Sequence, residues 1–426
     1  MIVYLICYAA SWIFARFGLY YLSGAALFLA AGYLYVYDYR RSGNLIHLRG
    51  LFSCFWVGGQ GAACLKLSKL QTDWAIQTWI CFFLALVGFW ITFEVLDRLM
   101  GGNERFTMNR YRQRSTVRPL FFCIVGLTVI SAAAFVTEAA VLGFIPVLVR
   151  GVPHAYSAFH MTGLHYVTVS CVLIPAMTVL YFEQGGSRSG RKNGLIVLCT
   201  LVSIAIPILC VSRFQLVFAV ILAVFTFCAS QKNVSPWLFV AAVVALIPCY
   251  VLLTVARSHD VTYLNGIFEM KNSRMPIFVS QPYIYIANNY ENFDCLVKAL
   301  PAHTWGIRML FPVWALTGLK FLYPYLVSFP IYVDKTELTT VTLIYDAYYD
   351  FGIIGVLVFA CILGAVCFFL VEKLREMKNP MGYLFYGQMA IYMMLSFFTT
   401  WFSNPTTWFY FLVTAVLTFY CSVSRR

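Results

Sequence analysis

Uninterrupted apolar runs, recurring from one end of the chain to the other, restrict this sequence more than any other feature. Residues 195–211 read LIVLCTLVSIAIPILCV and residues 351–371 read FGIIGVLVFACILGAVCFFLV, with no charge in either. About 20 such residues carry a helix across the hydrocarbon of a bilayer. A membrane β-barrel would instead alternate apolar and polar positions over roughly ten-residue segments. Only 11% of the 426 residues are charged and 61% are hydrophobic, against about 25% charged in soluble domains. So little charge does not cover a particle of this size in water, and lipid is the solvent that accepts the remaining surface. The chain is therefore read as all-α, a polytopic transmembrane helix bundle.

Apolar runs fall at about 2–15, 18–37, 50–66, 74–95, 119–141, 164–182, 193–211, 214–230, 236–255, 350–371, 382–400 and 405–422. Only Arg16 and Gly18 break the first two apart, so the count is 11 spans if they form one tilted helix and 12 otherwise. The first run lacks a positive leader and a small-residue cleavage site, and is read as a span rather than a removed signal peptide. The whole of 1–426 is read as one integral membrane domain. Its spans occupy about 2–255 and 350–422, and a large periplasmic or extracellular loop region occupies about 257–350.

Orientation comes from Lys and Arg, which collect in cytoplasmic loops. With both termini inside, a clear majority of the 30 basic residues fall in short inner segments, including Arg98, Arg105, Arg110, Arg112, Arg114 and Arg118. The apolar stretch 306–331 would reverse this if it crossed the membrane, so it is read as a re-entrant or interfacial segment, broken by Pro312, Pro324 and Pro330. The net charge of +13 lies between apolar runs rather than on one patch, which argues against a nucleic-acid partner. The 14 cysteines sit almost wholly inside apolar runs, as small hydrophobes do.

That orientation places candidate chemistry on one side. Glu138 ends the fifth span as an acid well inside an apolar run. Ionisable groups in spans are costly and mark functional cavities, so Glu138 is the first choice for a catalytic base, with Glu291 and His259 in reserve. The plainer reading of Glu138 is a carboxylate hydrated or paired at the interface. Arg150, Arg213, Arg257, Arg274 and Arg308 also map outside. Guanidinium groups bind phosphates in a bidentate manner and stay charged when partly buried; singly, each is equally well read as reaching to lipid headgroups. His160 and His165 lie five apart, which is not a metal-ligand spacing, and are read with Tyr156 as sugar-contacting groups. The segment 283–294, YIYIANNYENFD, offers Asn289, Tyr290 and Asp294 for hydroxyls and sugar rings, and Asp346 follows near the end of the loop. No nucleotide-binding glycine motif, metal-binding HExxH or DxD pair is present, so no cofactor and no metal are expected.

The segments E-(x4)-GFIPVL and YSAFHMTGLHY, the stretch TELTTVTLIYDAYYDFGIIGVL and the N-terminal LFSCFWVGGQGAACLKLSKLQTDWAIQTW resemble the Wzy-type polymerases of bacterial O-antigen and capsule repeat units. The likeness extends over most of the chain, in short patches. Where related O-antigen ligases carry a histidine at the start of the loop-closing segment, this chain has Thr and Glu residues. The resemblance implies a GT-C-like membrane fold and a metal-independent glycosyl transfer at the outer face of the cytoplasmic membrane. The donor and acceptor would be undecaprenyl-pyrophosphate-linked glycans, with a chain-length regulator and a flippase as pathway partners. A ligase, or a flippase without catalysis, are the rival expectations.

Overall fold

The computed structural model of the chain describes residues 1–100, 117–149, 155–231, 234–235, 237, 241, 261–272, 274–375 and 377–423. Among these, every regular element is helical, apart from one isolated antiparallel bridge between Ser68 and Met270. The principal helices are α1 (Ile2–Arg16), α2 (Tyr20–Ser42), α3 (Leu48–Cys64), α4 (Ile76–Met100), α5 (Val117–Leu142), α6 (Leu164–Glu183), α7 (Gly190–Leu209), α8 (Arg213–Ser230), α9 (Ile277–Ala299), α10 (Tyr345–Arg375), α11 (Gly382–Met394) and α12 (Pro405–Val423). Six of them, α4 to α8 and α10, are long and apolar enough to cross a membrane. Each coincides with an expected apolar run. α1 is apolar but shorter, and α11 stops at Met394. The run 236–255 lies outside the described residues.

Two features depart from the sequence reading. The region 257–350 is not simply an outer loop, because it contains the 23-residue α9. YIYIANNYENFD, expected at a surface, forms the middle of this helix and is largely buried. Residues 306–331 contain only short turns of helix, Phe311–Leu316, Leu319–Leu322 and Pro324–Leu326. Prolines open the first and last of these, where a missing N–H costs nothing.

The described chain divides into two compact units. One comprises Met1–Phe106, Asp260–Glu372 and Tyr392–Thr407; the other Thr107–His259, Lys373–Ile391 and Trp408–Arg426. In the first, α2 and α3 pack through small residues. A Cβ added to Gly24 would stand 2.8 Å from the carbonyl oxygen of Gly61, so the backbones approach as closely as membrane helices do at small-residue crossings. α10 bends at Gly352, whose φ of 62° and ψ of −147° are open to glycine alone. A side chain there would also meet the His303 imidazole at 3.0 Å.

Charge is enclosed at the junction of α2, α3 and α4. Arg49 and Asp38 are each 1% exposed. The Arg49 Nε and Nη2 donate to Asp38 Oδ1 at 2.9 and 2.5 Å, and Nη1 donates to Glu94 Oε2 at 2.7 Å. The guanidinium lies over the Trp90 and Phe93 rings, 4.5 and 4.8 Å from their centroids. Arg41 adds bonds to Glu94 and Asp97. His47, just before α3, shares this pocket edge-on to Phe93. Burial pushes its imidazole down to about 4, with Asp38 opposing.

His47 therefore folds neutral, while the unfolded chain takes up a proton near pH 6.5. Its contribution to stability is complete above that pH and is lost as pH falls toward 4. The loss is on the order of 3 kcal/mol from this group. Melting of the purified protein in detergent, followed from neutral to acid pH, should show this decline, and His47→Phe should flatten it.

Candidate functional site

In the second unit the site begins at Glu138, near the C-terminal end of α5. Its side chain is 0% exposed, and three groups from the following segment close on it. The Met161 N–H donates to Oε1 at 3.1 Å, the Thr168 hydroxyl donates to Oε2 at 2.7 Å, and His165 Nδ1 lies 3.2 Å from both oxygens. α5 supplies the acid, while the first turns of α6 supply His165 and Thr168 three residues apart on one helical face. An ionised carboxylate only accepts hydrogen bonds, so Nδ1 must carry the proton in this contact. A neutral imidazole held in this way carries its lone pair on Nε2. His165 is 19% exposed and meets the exposed His160 ring edge-on at 4.9 Å. Glu138 thus has no open face for substrate, whereas His165 has one. The arrangement is a buried carboxylate orienting a partly buried imidazole. Glu138, the first choice from sequence for a base, and His165, read from sequence as a sugar contact, thus meet in one cluster, with His165 on its outer side.

Arg213 belongs to the same unit. It opens α8 and is largely buried. The turn before it is strained, because Val211 has a φ of +52°, where a β-branched residue is a genuine outlier. Burial against Leu216, Val147 and Ile204 holds it there. Val147 follows α5 directly, so the turn carrying Arg213 packs on the segment that leaves Glu138. Tyr156 lies in the short helix Ala155–Ala158. Arg150, Arg257 and His259 lie outside the described residues.

In the first unit the polar face of α9 is structural. Glu291, 2% exposed, accepts from Lys66 Nζ at 2.6 Å, Trp74 Nε1 at 2.7 Å and the Thr72 N–H at 3.1 Å. Lys66 completes its own shell on the Thr72 carbonyl and lies over the Trp74 ring. Burial pushes the Glu291 carboxyl up, and the Lys66 ammonium opposes this. Asp294 accepts from the Ala75 N–H and the Thr78 hydroxyl and pairs with Lys298. Asn289 donates to the carbonyls of Tyr285 and Phe397 and accepts from Thr340. Tyr290 donates to the Trp56 carbonyl and is fully enclosed. Every hydrogen-bonding group that the sequence offered here for sugar is engaged by the chain itself. As a base, Glu291 is saturated, and its role is to fasten residues 66–74 to α9.

Arg308 and Asp346 were assigned separately to pyrophosphate and glycan, yet they form a pair through the Arg308 Nε. The guanidinium stacks over Tyr349 and Tyr345, at 4.6 and 5.3 Å. Its Nη groups carry no hydrogen bond among the described residues, an edge suited to an anion. Asp350, not singled out from the sequence, is 0% exposed and accepts the N–H groups of Met309 and Arg308 and the Thr304 hydroxyl. The spacing of Asp346 and Asp350, four apart at the start of α10, was the available signal. Arg274 is exposed in the turn before α9.

Sequence reasoning also missed a cavity lined by Trp12, Arg16, Tyr20, Asp73, Trp74 and Trp79. Aromatic and charged groups of this kind suit sugars, but at about 90 Å³ it is well below the roughly 300 Å³ at which ligand pockets begin. It has room for a few waters. Among the described residues no three His, Cys, Asp or Glu side chains converge as a metal site requires. Compared with protein-family models, curated proteins and solved structures, the chain matches none.

Lys66→Met would leave Glu291 buried without its cation and should cost about 3–5 kcal/mol. Replacing both residues, Lys66→Met with Glu291→Leu, should recover most of that loss. Thermal unfolding in detergent reads both; equal losses in the single and double variants would show that the pair is not the fastening.

Proposed function

We propose that the chain is a membrane glycosyltransferase that joins undecaprenyl-pyrophosphate-linked oligosaccharide repeat units into a surface polysaccharide. It acts at the outer face of the bacterial cytoplasmic membrane, crossing it about a dozen times with both termini inside. The observation that carries this reading is Glu138, enclosed and bonded to the Nδ1 of His165, whose side chain is 19% exposed. The short patches resembling Wzy-type polymerases include both residues.

In this reading His165 Nε2 takes the proton from a hydroxyl of the acceptor repeat unit as its oxygen attacks the donor's anomeric carbon. The bond from that carbon to the pyrophosphate oxygen breaks, and the lipid pyrophosphate leaves with the electron pair. Configuration inverts. Glu138 keeps the imidazole in the needed tautomer and stabilises the positive charge that develops on it, as the buried acid does in hydrolase triads. Arg213, in the same unit, is the cation assigned to the leaving pyrophosphate. Such electrostatic groups are each worth roughly 3–4 kcal/mol in a transition state. Pyrophosphate is already an activated leaving group, so a base and one or two cations suffice.

Purified protein given lipid-linked repeat units should produce a ladder of glycans. His165→Ala should slow ladder formation by roughly 10²–10⁴-fold, the usual worth of a general base. Glu138→Gln should lower the rate and alter its pH profile while Thr168→Val leaves that profile in place. Full ladders of normal rate from both His165→Ala and Glu138→Gln would defeat the assignment.

A further inference from the structure

At the far end of α5 from Glu138 lies a second cavity, of about 410 Å³, which the proposed transfer does not use. It is formed where α5 begins, α6 ends and α7 begins, all within the second unit. Val117 and Glu138 are 21 residues apart on one helix, or about 31 Å at 1.5 Å per residue. That is the thickness of a bilayer's hydrocarbon, so the two sites belong to opposite faces. The volume falls in the usual range of ligand pockets.

Three cationic side chains, Arg118, Arg188 and Lys192, line the cavity, and all are exposed. None has a carboxylate partner among the described residues. Glu183, the nearest acid in sequence to this turn, is engaged by Gln231. The stems are positioned by aromatic rings: Arg118 lies over Phe122 at 5.9 Å and Lys192 over Phe121 at 5.8 Å.

The floor is built rather than incidental. Gly185 and Gly186 turn the chain with φ of 99° and 60°, and Asn193 locks the turn from α7. Its Oδ1 accepts from the Tyr181 hydroxyl and the Ser187 N–H, both at 3.0 Å, and its Nδ2 donates to the Ser187 carbonyl at 3.0 Å. Three like charges gathered in one firm cleft repel each other unless an anion joins them. Basic pockets between helices at a membrane surface are the form in which proteins hold phosphate headgroups.

The wall supplies a second clue. Phe122 both lines the cavity and stands 50% exposed on α5. Val129, Ile130 and Val136 continue from it at 61%, 56% and 62% exposure, at helical spacing along one face. A hydrocarbon chain attached to a bound phosphate would run down that stripe.

We propose that this cavity binds a phosphate group, held by Arg118, Arg188 and Lys192, with the aromatic and aliphatic stripe favouring a phosphate carried on a membrane lipid. The proposal stands whether or not the polymerase reading is right.

Intact mass spectrometry of the full chain released from micelles, with phosphatidylglycerol or phosphatidylcholine supplied, tests the lipid source. Titration with inorganic pyrophosphate tests a soluble one. Wild type should retain phosphatidylglycerol at least tenfold more than phosphatidylcholine. Lys192→Gln should reduce that retention several-fold, and Arg118→Gln, Arg188→Gln and Lys192→Gln combined should abolish it. Arg191→Gln, adjacent but outside the cavity, should leave it unchanged. If pyrophosphate binds and the same triple variant loses it, while phosphatidylglycerol shows no preference, the phosphate site stands and its source is soluble. A triple variant that melts normally and keeps both ligands as wild type does would overturn the proposal.

Discussion

A charge enclosed among apolar helices has no water to fall back on, and among the described residues Arg49, Glu291 and Glu138 each bring their partners with them. Arg49 has two carboxylates and two aromatic faces; Glu291 has an ammonium, an indole and a backbone amide; Glu138 has an imidazole, a hydroxyl and a backbone amide. Leaving any of these groups alone would cost several kcal/mol. The partners come from different helices or from the segments that join them, so satisfying the charge also specifies which segments meet. Apolar packing brings helices together with little directional preference. The ion clusters decide the register.

The Arg49 cluster reaches an open group at Arg41, 45% exposed, and the Glu138 cluster at His165, 19% exposed. Arg49 and Glu291 are closed in, with every strong bond spent on holding segments. Glu138 spends its bonds on orienting His165, whose ring remains partly open. What sets the Glu138 cluster apart is that its outer group is an imidazole, a proton acceptor or donor, where the Arg49 cluster ends in guanidinium, which only donates.

The spans were legible because hydrophobic length is a local property. The run expected at 119–141 is the helix Val117–Leu142, and that at 350–371 lies inside Tyr345–Arg375. α9 was not legible, since its sequence is polar enough for a loop and its partners lie more than 200 residues away at Lys66, Thr72 and Trp74. α11 ends at Met394, short of its run, and just beyond it the Ser396 carbonyl accepts the Leu343 N–H. At the site, a solitary acid in an apolar run pointed to Glu138. Its pairing with His165 was beyond reach, because it depends on how the 21 residues between Leu142 and Leu164 bring two helix ends together, and periodicity says nothing of that. The same limit explains why Arg308 and Asp346 were given separate tasks although they bind each other.

The direction of the bonds around α9 bears on how such a chain can diverge. Asn292 donates to the carbonyls of Leu338 and Thr340, Asn289 to that of Phe397, and Tyr290 to that of Trp56. In each case the helix provides the side chain and the partner only its backbone, which every amino acid possesses. In these contacts a change of side chain at Leu338, Phe397 or Trp56 leaves the acceptor in place, whereas a change at Asn289, Tyr290 or Asn292 removes the donor. Thr340 is the exception, since its own hydroxyl donates to Asn289 and ties that position to α9 through both side chain and backbone.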